Sequence, residues 1–184
     1  MTTSKNNTQF ITTTALMTAL ICILGPISIP IGPVPISLQN FAIYITIYVL
    51  GTKRGTIAYM LYLILGLCGL PVLAGYTGGV AKIVGPTGGY LIGFIPMAIL
   101  IGFFIKKCYR NVLLSIVAME ASTWVAYILG TLWLSFSAHM SFGAAFAAGV
   151  APFIVLDLVK MIISAIIGPT LRDRLRPFTA LEAI

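Results

Sequence analysis

The sequence predicts an all-α polytopic membrane protein, a single membrane-embedded domain over residues 1–184 with about six transmembrane helices. Three observations carry that prediction. Hydrophobic residues make up 59% of the chain and charged residues 8%, against roughly a quarter charged in soluble domains. Mean hydropathy is +1.06. Apolar stretches close to the ~20 residues a helix needs to cross a bilayer recur from end to end. Open strands are excluded, because lipid leaves backbone donors and acceptors unsatisfied, and the short alternating segments of a β-barrel are absent.

The first apolar run covers residues 10–24 and ends in a segment broken by Gly25-Pro26, Pro30, Gly32, Pro33 and Pro35. The second covers 36–50 and stops at the charged turn Gly51-Thr52-Lys53-Arg54-Gly55. The third covers 56–70, and a Gly-rich connection containing Gly79 follows to Pro86. The fourth covers 87–105 and gives way to Lys106, Lys107 and Arg110. The fifth covers 112–136 around Glu120; residues 137–149 read as a small-residue loop or partial helix. The sixth covers 150–171, ahead of a basic tail. No internal repeat of the kind that builds many secondary transporters is visible.

Basic residues order these runs across the membrane. Lys5, Lys53, Arg54, Lys106, Lys107, Arg110, Arg172, Arg174 and Arg176 fall on one side, and Lys82 alone on the other. Both termini are therefore expected in the cytoplasm of a multi-pass plasma-membrane protein. The net charge of +7 sits in inter-helix turns, which argues against nucleic-acid binding. Cys22, Cys68 and Cys108 are scattered, with no histidine beside them and no metal-ligand spacing. The first apolar run lacks a small-residue cleavage site and reads as a retained helix rather than a removed signal peptide. No GxxxxGK[ST] is present, so any ATP use falls to another polypeptide.

Asp157 and Lys160 lie inside the sixth run at i and i+3, which places both side chains on one helix face. Ionisable groups inside a span are costly and usually face the bundle interior. The pair reads as a ligand site in preference to a packing ion pair. Glu120 reads instead as a structural or partner-contacting acid. Gly88, Gly89 and Tyr90 open the fourth run; a Gly-rich helix start suits either close ligand approach or a packing turn. Lys82 suits either a ligand carboxylate or solvent. Gln39, with Asn40, suits either a polar ligand head or a helix cap. Ala15 and Ala19 form a small-xxx-small pair, open to packing within the chain or to a partner. His139, Trp124 and Trp133 carry no assigned chemistry. The absence of HExxH, GxSxG and paired aspartates argues against a membrane enzyme. An ion-coupled secondary transporter of a small carboxylate-bearing metabolite, using Asp157 and Glu120 as relays, is the competing reading.

Three segments, IGPVPISLQNF, VGPTGGYLIGF and APFIVLDLVK, together resemble the signature stretches of the BioY family, the biotin-specific substrate-binding (S) components of energy-coupling-factor (ECF) importers. The resemblance implies a six-helix S-component fold and biotin capture under the external loops. It implies docking on a transmembrane coupling protein driven by two cytoplasmic ATPases, with no cofactor in this chain. Ala15 and Ala19 match the A-x-x-x-A docking pattern of S components. Many relatives carry Pro-Gly before the aspartate, where this chain has Val155-Leu156; that difference bears on the shape of the helix there. One acid, one base, glycines and aromatics match the ureido ring, apolar body and carboxylate of biotin. Asp157 is expected to accept from a ureido N–H. Lys160 is assigned to the ureido head in preference to the tail. The tail carboxylate then falls to Lys82, a hydroxyl or the Gly-rich backbone.

Overall fold

The computed structural model describes the backbone of residues 2–179 and the side chains of residues 8–176. The chain runs α1 (Thr2–Leu24), β1 (Ser28–Ile29), β2 (Ile36–Ser37), α2 (Gln39–Leu67), α3 (Val80–Val84), α4 (Gly88–Cys108), α5 (Val112–Ser137), α6 (Phe142–Gly149) and α7 (Ala151–Thr179). The segments Gly88–Cys108, Val112–Ser137 and Phe142–Arg176 are each long and apolar enough to cross a membrane, and Thr8–Leu24 is a shorter apolar helix.

The stretch named α2 is two rods. Gly51 sits at φ 73°, ψ −177°, a left-handed φ that L side chains avoid. A straight helix would hold Gln39 and Tyr59 about 30 Å apart, yet Gln39 Nε2 donates to Tyr59 Oη at 3.4 Å. A Cβ on Gly55 would meet Ile47 Cα at 3.2 Å, where a straight helix would separate them by about 12 Å. The chain therefore reverses at Gly51, and residues 39–50 and 52–67 form antiparallel arms. With them, six long rods assemble, as the hydropathy pattern predicts. The charged turn expected over residues 51–55 contracts to Gly51, because helix resumes at once on its far side. Within the 137–149 segment α6 forms, capped by Ser141, whose hydroxyl accepts from Ala144 N at 3.3 Å. Asn111 caps α5 in the same way, accepting from Leu114 N at 3.0 Å.

Packing is inverted relative to a soluble protein. Ile11, Ile23, Leu113, Val117, Ile128 and Val155 point outward, as lipid-facing residues should. Thr18, Ser122, Thr123, Ser164 and Asp157 are buried. The hydroxyls of Thr18, Ser122, Thr123 and Ser164 bond back to carbonyls one turn earlier, as Ser122 does to Ala118 O at 2.7 Å and Thr123 to Met119 O at 2.8 Å, which satisfies these four inside the helices. Tyr44, Tyr48, Tyr59 and Tyr62 fill the centre with Met97, Ile101 and Met119.

The two ends differ in character. At one end Arg54 stacks on Phe10, Arg110 pairs with Asp173 at 3.4 Å, and Arg172 Nη1 donates to Tyr48 O at 2.8 Å. That bond closes the C-terminus of the first α2 arm, where the break leaves carbonyls without helical partners. At the other end β1 and β2 pair antiparallel, Ser28 opposite Ser37 and Ile29 opposite Ile36. The residue 68–79 connection is tied to this hairpin by Gly75 N to Pro26 O at 3.0 Å.

Candidate functional site

Below the hairpin lies a cavity with about 600 Å³ of empty space, open solvent included. Its walls are apolar, built from Val34, Pro35, Leu73, Phe94 and Phe153. Asp157, Lys160, Asn40, Tyr127, Gln39 and Lys82 bring polar atoms to it from four elements, α7, α2, α5 and α3.

α7 supplies the ion pair. It starts at Ala151 with Pro152 in its first turn, where a proline removes no helical bond, and it continues unbroken through Val155-Leu156. Asp157 is 2% exposed. Lys160 Nζ donates to Asp157 Oδ1 at 2.9 Å, to Asn40 Oδ1 at 2.9 Å and to Ser37 O at 2.7 Å. An ammonium has three donors, so Lys160 is saturated. It ties α7 to the first turn of α2 and to β2. Tyr127, from α5, donates to Asp157 Oδ2 at 2.7 Å. A carboxylate offers about four lone-pair sites, so Asp157 keeps acceptor capacity that Lys160 lacks as a donor.

The other expected residues fall into two groups. Gln39, Lys82 and Tyr90 line the cavity. Gln39 is oriented by Tyr59, whose hydroxyl donates to Leu91 O at 2.7 Å. Tyr90 lies with its ring on Gly130 and its hydroxyl on Gly149, and neither glycine has room for a Cβ. Gly88, Gly89 and Gly79 do not line it. A Cβ on Gly88 would collide with Ile83 O, and one on Gly89 with Trp133. Gly88 N and Tyr90 N already donate within the turn, to Gly85 O and Thr87 O. The Gly-rich start of α4 is thus a packing device here, not a free anion cradle. Trp133 locks it, donating to Gly85 O at 2.9 Å. Gly79, at φ 89°, donates to Gly66 O at 2.7 Å and shapes the start of α3.

Tyr127, Ser37 and Phe153 are members of the site that sequence reasoning missed. A tyrosine in an apolar span looks like any core aromatic, and a backbone carbonyl has no sequence signal. Glu120 lies off the cavity, with Oε2 buried and lacking a hydrogen-bond partner among the described residues. Ala15 and Ala19 lie far from the site, on the outward face of α1 with Ile11 (66% exposed) and Ile23 (65%). They do not pack inside the subunit. Among the described residues no group of His, Cys, Asp and Glu could hold a metal.

The arrangement suits a ligand with N–H donors at one end, an apolar middle, and a group that a lysine ammonium can meet. Comparison with known proteins agrees. The BioY family model matches residues 1–177. The biotin transporter BioY of Thermotoga maritima is 41% identical over 157 residues, 85% of this chain and 92% of its own length. The probable biotin transporter BioY of Pyrococcus horikoshii is 42% identical over 158 residues, 86% of this chain and 93% of its own. The crystal structure of the S-component for biotin from an ECF-type ABC transporter superposes with a TM-score of 0.84 at 38% identity, covering 91% of this chain and 92% of that one.

Proposed function

The chain belongs to the BioY family, and from that premise we propose how it captures biotin as the substrate-specific subunit of an ECF-type importer. It is a membrane transport protein, not an enzyme. The observation that carries the binding reading is the saturated Lys160 beside a partly free Asp157.

In this reading Asp157 accepts a ureido N–H of biotin on its spare lone pairs, with Tyr127 holding the carboxylate in orientation. Lys160 is a positioning residue. It holds Asp157 and Asn40 in register through its three hydrogen bonds. Direct contact between Lys160 and the ligand would require one of its three acceptors to leave. The apolar walls take the thiophane ring and methylenes. Lys82, the one cavity cation outside this cluster among the described residues, meets the tail carboxylate. Cavity-facing Gln39 and the face of Tyr90 complete the contact set. No cofactor is needed.

The outward face of α1, centred on Ala15 and Ala19, docks on a transmembrane coupling protein. Two cytoplasmic ATPases of that complex supply ATP hydrolysis. The basic end of the bundle faces the cytoplasm with both termini, and the cavity opens outward. This follows from the nine-to-one distribution of basic residues. Purification from cells without added ligand, followed by mass spectrometry of the extracted protein, tests the substrate. Stoichiometric biotin is expected, and a different bound metabolite would overturn the assignment.

A further inference from the structure

Lys82 and Thr87 line the cavity under the hairpin from one short stretch, α3 and the turn into α4. Neither side chain makes a hydrogen bond or ion pair with another described residue. The chain's four acidic residues are Glu120, Asp157, Asp173 and Glu182. Of these Asp157 alone lines the cavity, and it is held by Lys160 and Tyr127.

Thr87 stands just before α4, where a threonine ordinarily turns its hydroxyl onto the N–H of the second or third helical residue. Asn111 and Ser141 do so ahead of α5 and α6, from extended backbone at ψ 106° and ψ 151°. Thr87 does not. Its backbone is already helical, at φ −88°, ψ −5°, and its side chain makes no capping bond. The turn satisfies its own N–H groups: Gly88 N donates to Gly85 O at 3.0 Å, and Tyr90 N and Leu91 N donate to Thr87 O at 3.2 and 3.3 Å. Trp133, donating to Gly85 O at 2.9 Å, fixes the turn in this form.

Donors therefore divide the cavity. At the Asp157 end, Lys160 commits three N–H groups and Tyr127 its hydroxyl to protein acceptors. On the α3–α4 side an ammonium and a hydroxyl stand without an acceptor. A carboxylate accepts from both, since its two oxygens offer about four lone-pair sites, and hydrogen bonds to an ionised acceptor are the stronger kind. Lys82 brings charge on a flexible stem, and Thr87 brings a donor on a fixed turn.

We propose that the Thr87 hydroxyl donates to the tail carboxylate of the ligand and, with Lys82, makes the site selective for the free acid, an assignment that rests on the biotin reading. The test is equilibrium binding, to the purified full-length protein, of biotin and of an analogue with a methyl group in place of the carboxyl. Thr87→Val deletes the hydroxyl and keeps the branched shape. It should weaken biotin roughly 10- to 100-fold, the effect of one hydrogen bond to a charged group, and leave the methyl-tailed analogue unchanged. Thr87→Ser, which keeps the hydroxyl, should bind biotin as the wild type does. The thermal midpoint of ligand-free Thr87→Val should match the wild type, because no capping bond is lost. Unchanged biotin affinity in Thr87→Val would overturn the proposal. So would equal weakening of both ligands, which would make Thr87 a shaper of the cavity, or a lowered thermal midpoint, which would show the hydroxyl capping α4. A wild-type chain that binds neither ligand would overturn the biotin reading itself, and the assignment with it.

Discussion

Lys160→Met is the sharpest perturbation of the site. It removes an ammonium that makes three hydrogen bonds of 2.7–2.9 Å and keeps most of the alkyl stem. Asp157, 2% exposed, is left with Tyr127 as its remaining partner in the cluster. Breaking a buried pair by removing one member costs about 3–5 kcal/mol of folding stability, and the Asp157 acceptor that it leaves unsupported should bind biotin more weakly. Asn40 and Ser37 lose their link to α7 as well, so the loss should fall on whatever the ordered cluster recognises. The assay is equilibrium binding of biotin and of biotinamide, which shares the ureido ring and has a neutral tail. A positioning Lys160 predicts that both ligands weaken by the same factor. Lys82→Ala should behave differently, weakening biotin and leaving biotinamide nearly unchanged. If Lys160→Met weakens biotin alone and Lys82→Ala does nothing, Lys160 holds the tail and the reasoning from its saturated donors is wrong. Retained helical circular dichroism and monodisperse gel filtration separate these outcomes from misfolding.

Three other predictions follow from the same geometry. Tyr127→Phe removes one hydrogen bond to a carboxylate, worth about 1.5–3 kcal/mol, and should weaken biotin about 10- to 100-fold; titration with unchanged affinity would take Tyr127 out of the site. Ala15→Trp or Ala19→Trp adds bulk to an exposed α1 face, so co-purification with a coupling protein should be lost while biotin binding persists; loss of biotin binding with assembly intact would refute the docking role. Labelling of single-cysteine variants from outside the cell should modify Lys82→Cys and spare Lys107→Cys, and the reverse pattern would invert the topology.

Most of the architecture was legible because lipid imposes a simple code. Long apolar runs separated by charged or Gly-Pro breaks mark rods, and the basic turns gather at one end of the bundle. What hydropathy misplaces is where helix stops. Gly51 alone turns the chain, so Thr52, Lys53 and Arg54 belong to the next rod. Asp157 and Lys160 were visible because an ion pair inside a span is too costly to be casual. Tyr127 was not, since its role depends on α5 lying against α7. The Gly88-Gly89 start was legible as a motif but ambiguous in meaning. Only the close approach of Ile83 and Trp133 shows that these glycines serve packing. Ala15 and Ala19 were equally ambiguous until their outward exposure separated them from intrachain contacts.

This chain, alone, is expected to hold biotin through the Asp157 cluster. Calorimetric titration of biotin into the purified, ligand-free protein tests it most directly, with Asp157→Asn beside it. A single site per chain is predicted, with binding weakened by orders of magnitude in the variant. Absence of binding to the folded wild-type chain, or equal affinity in Asp157→Asn, would contradict it.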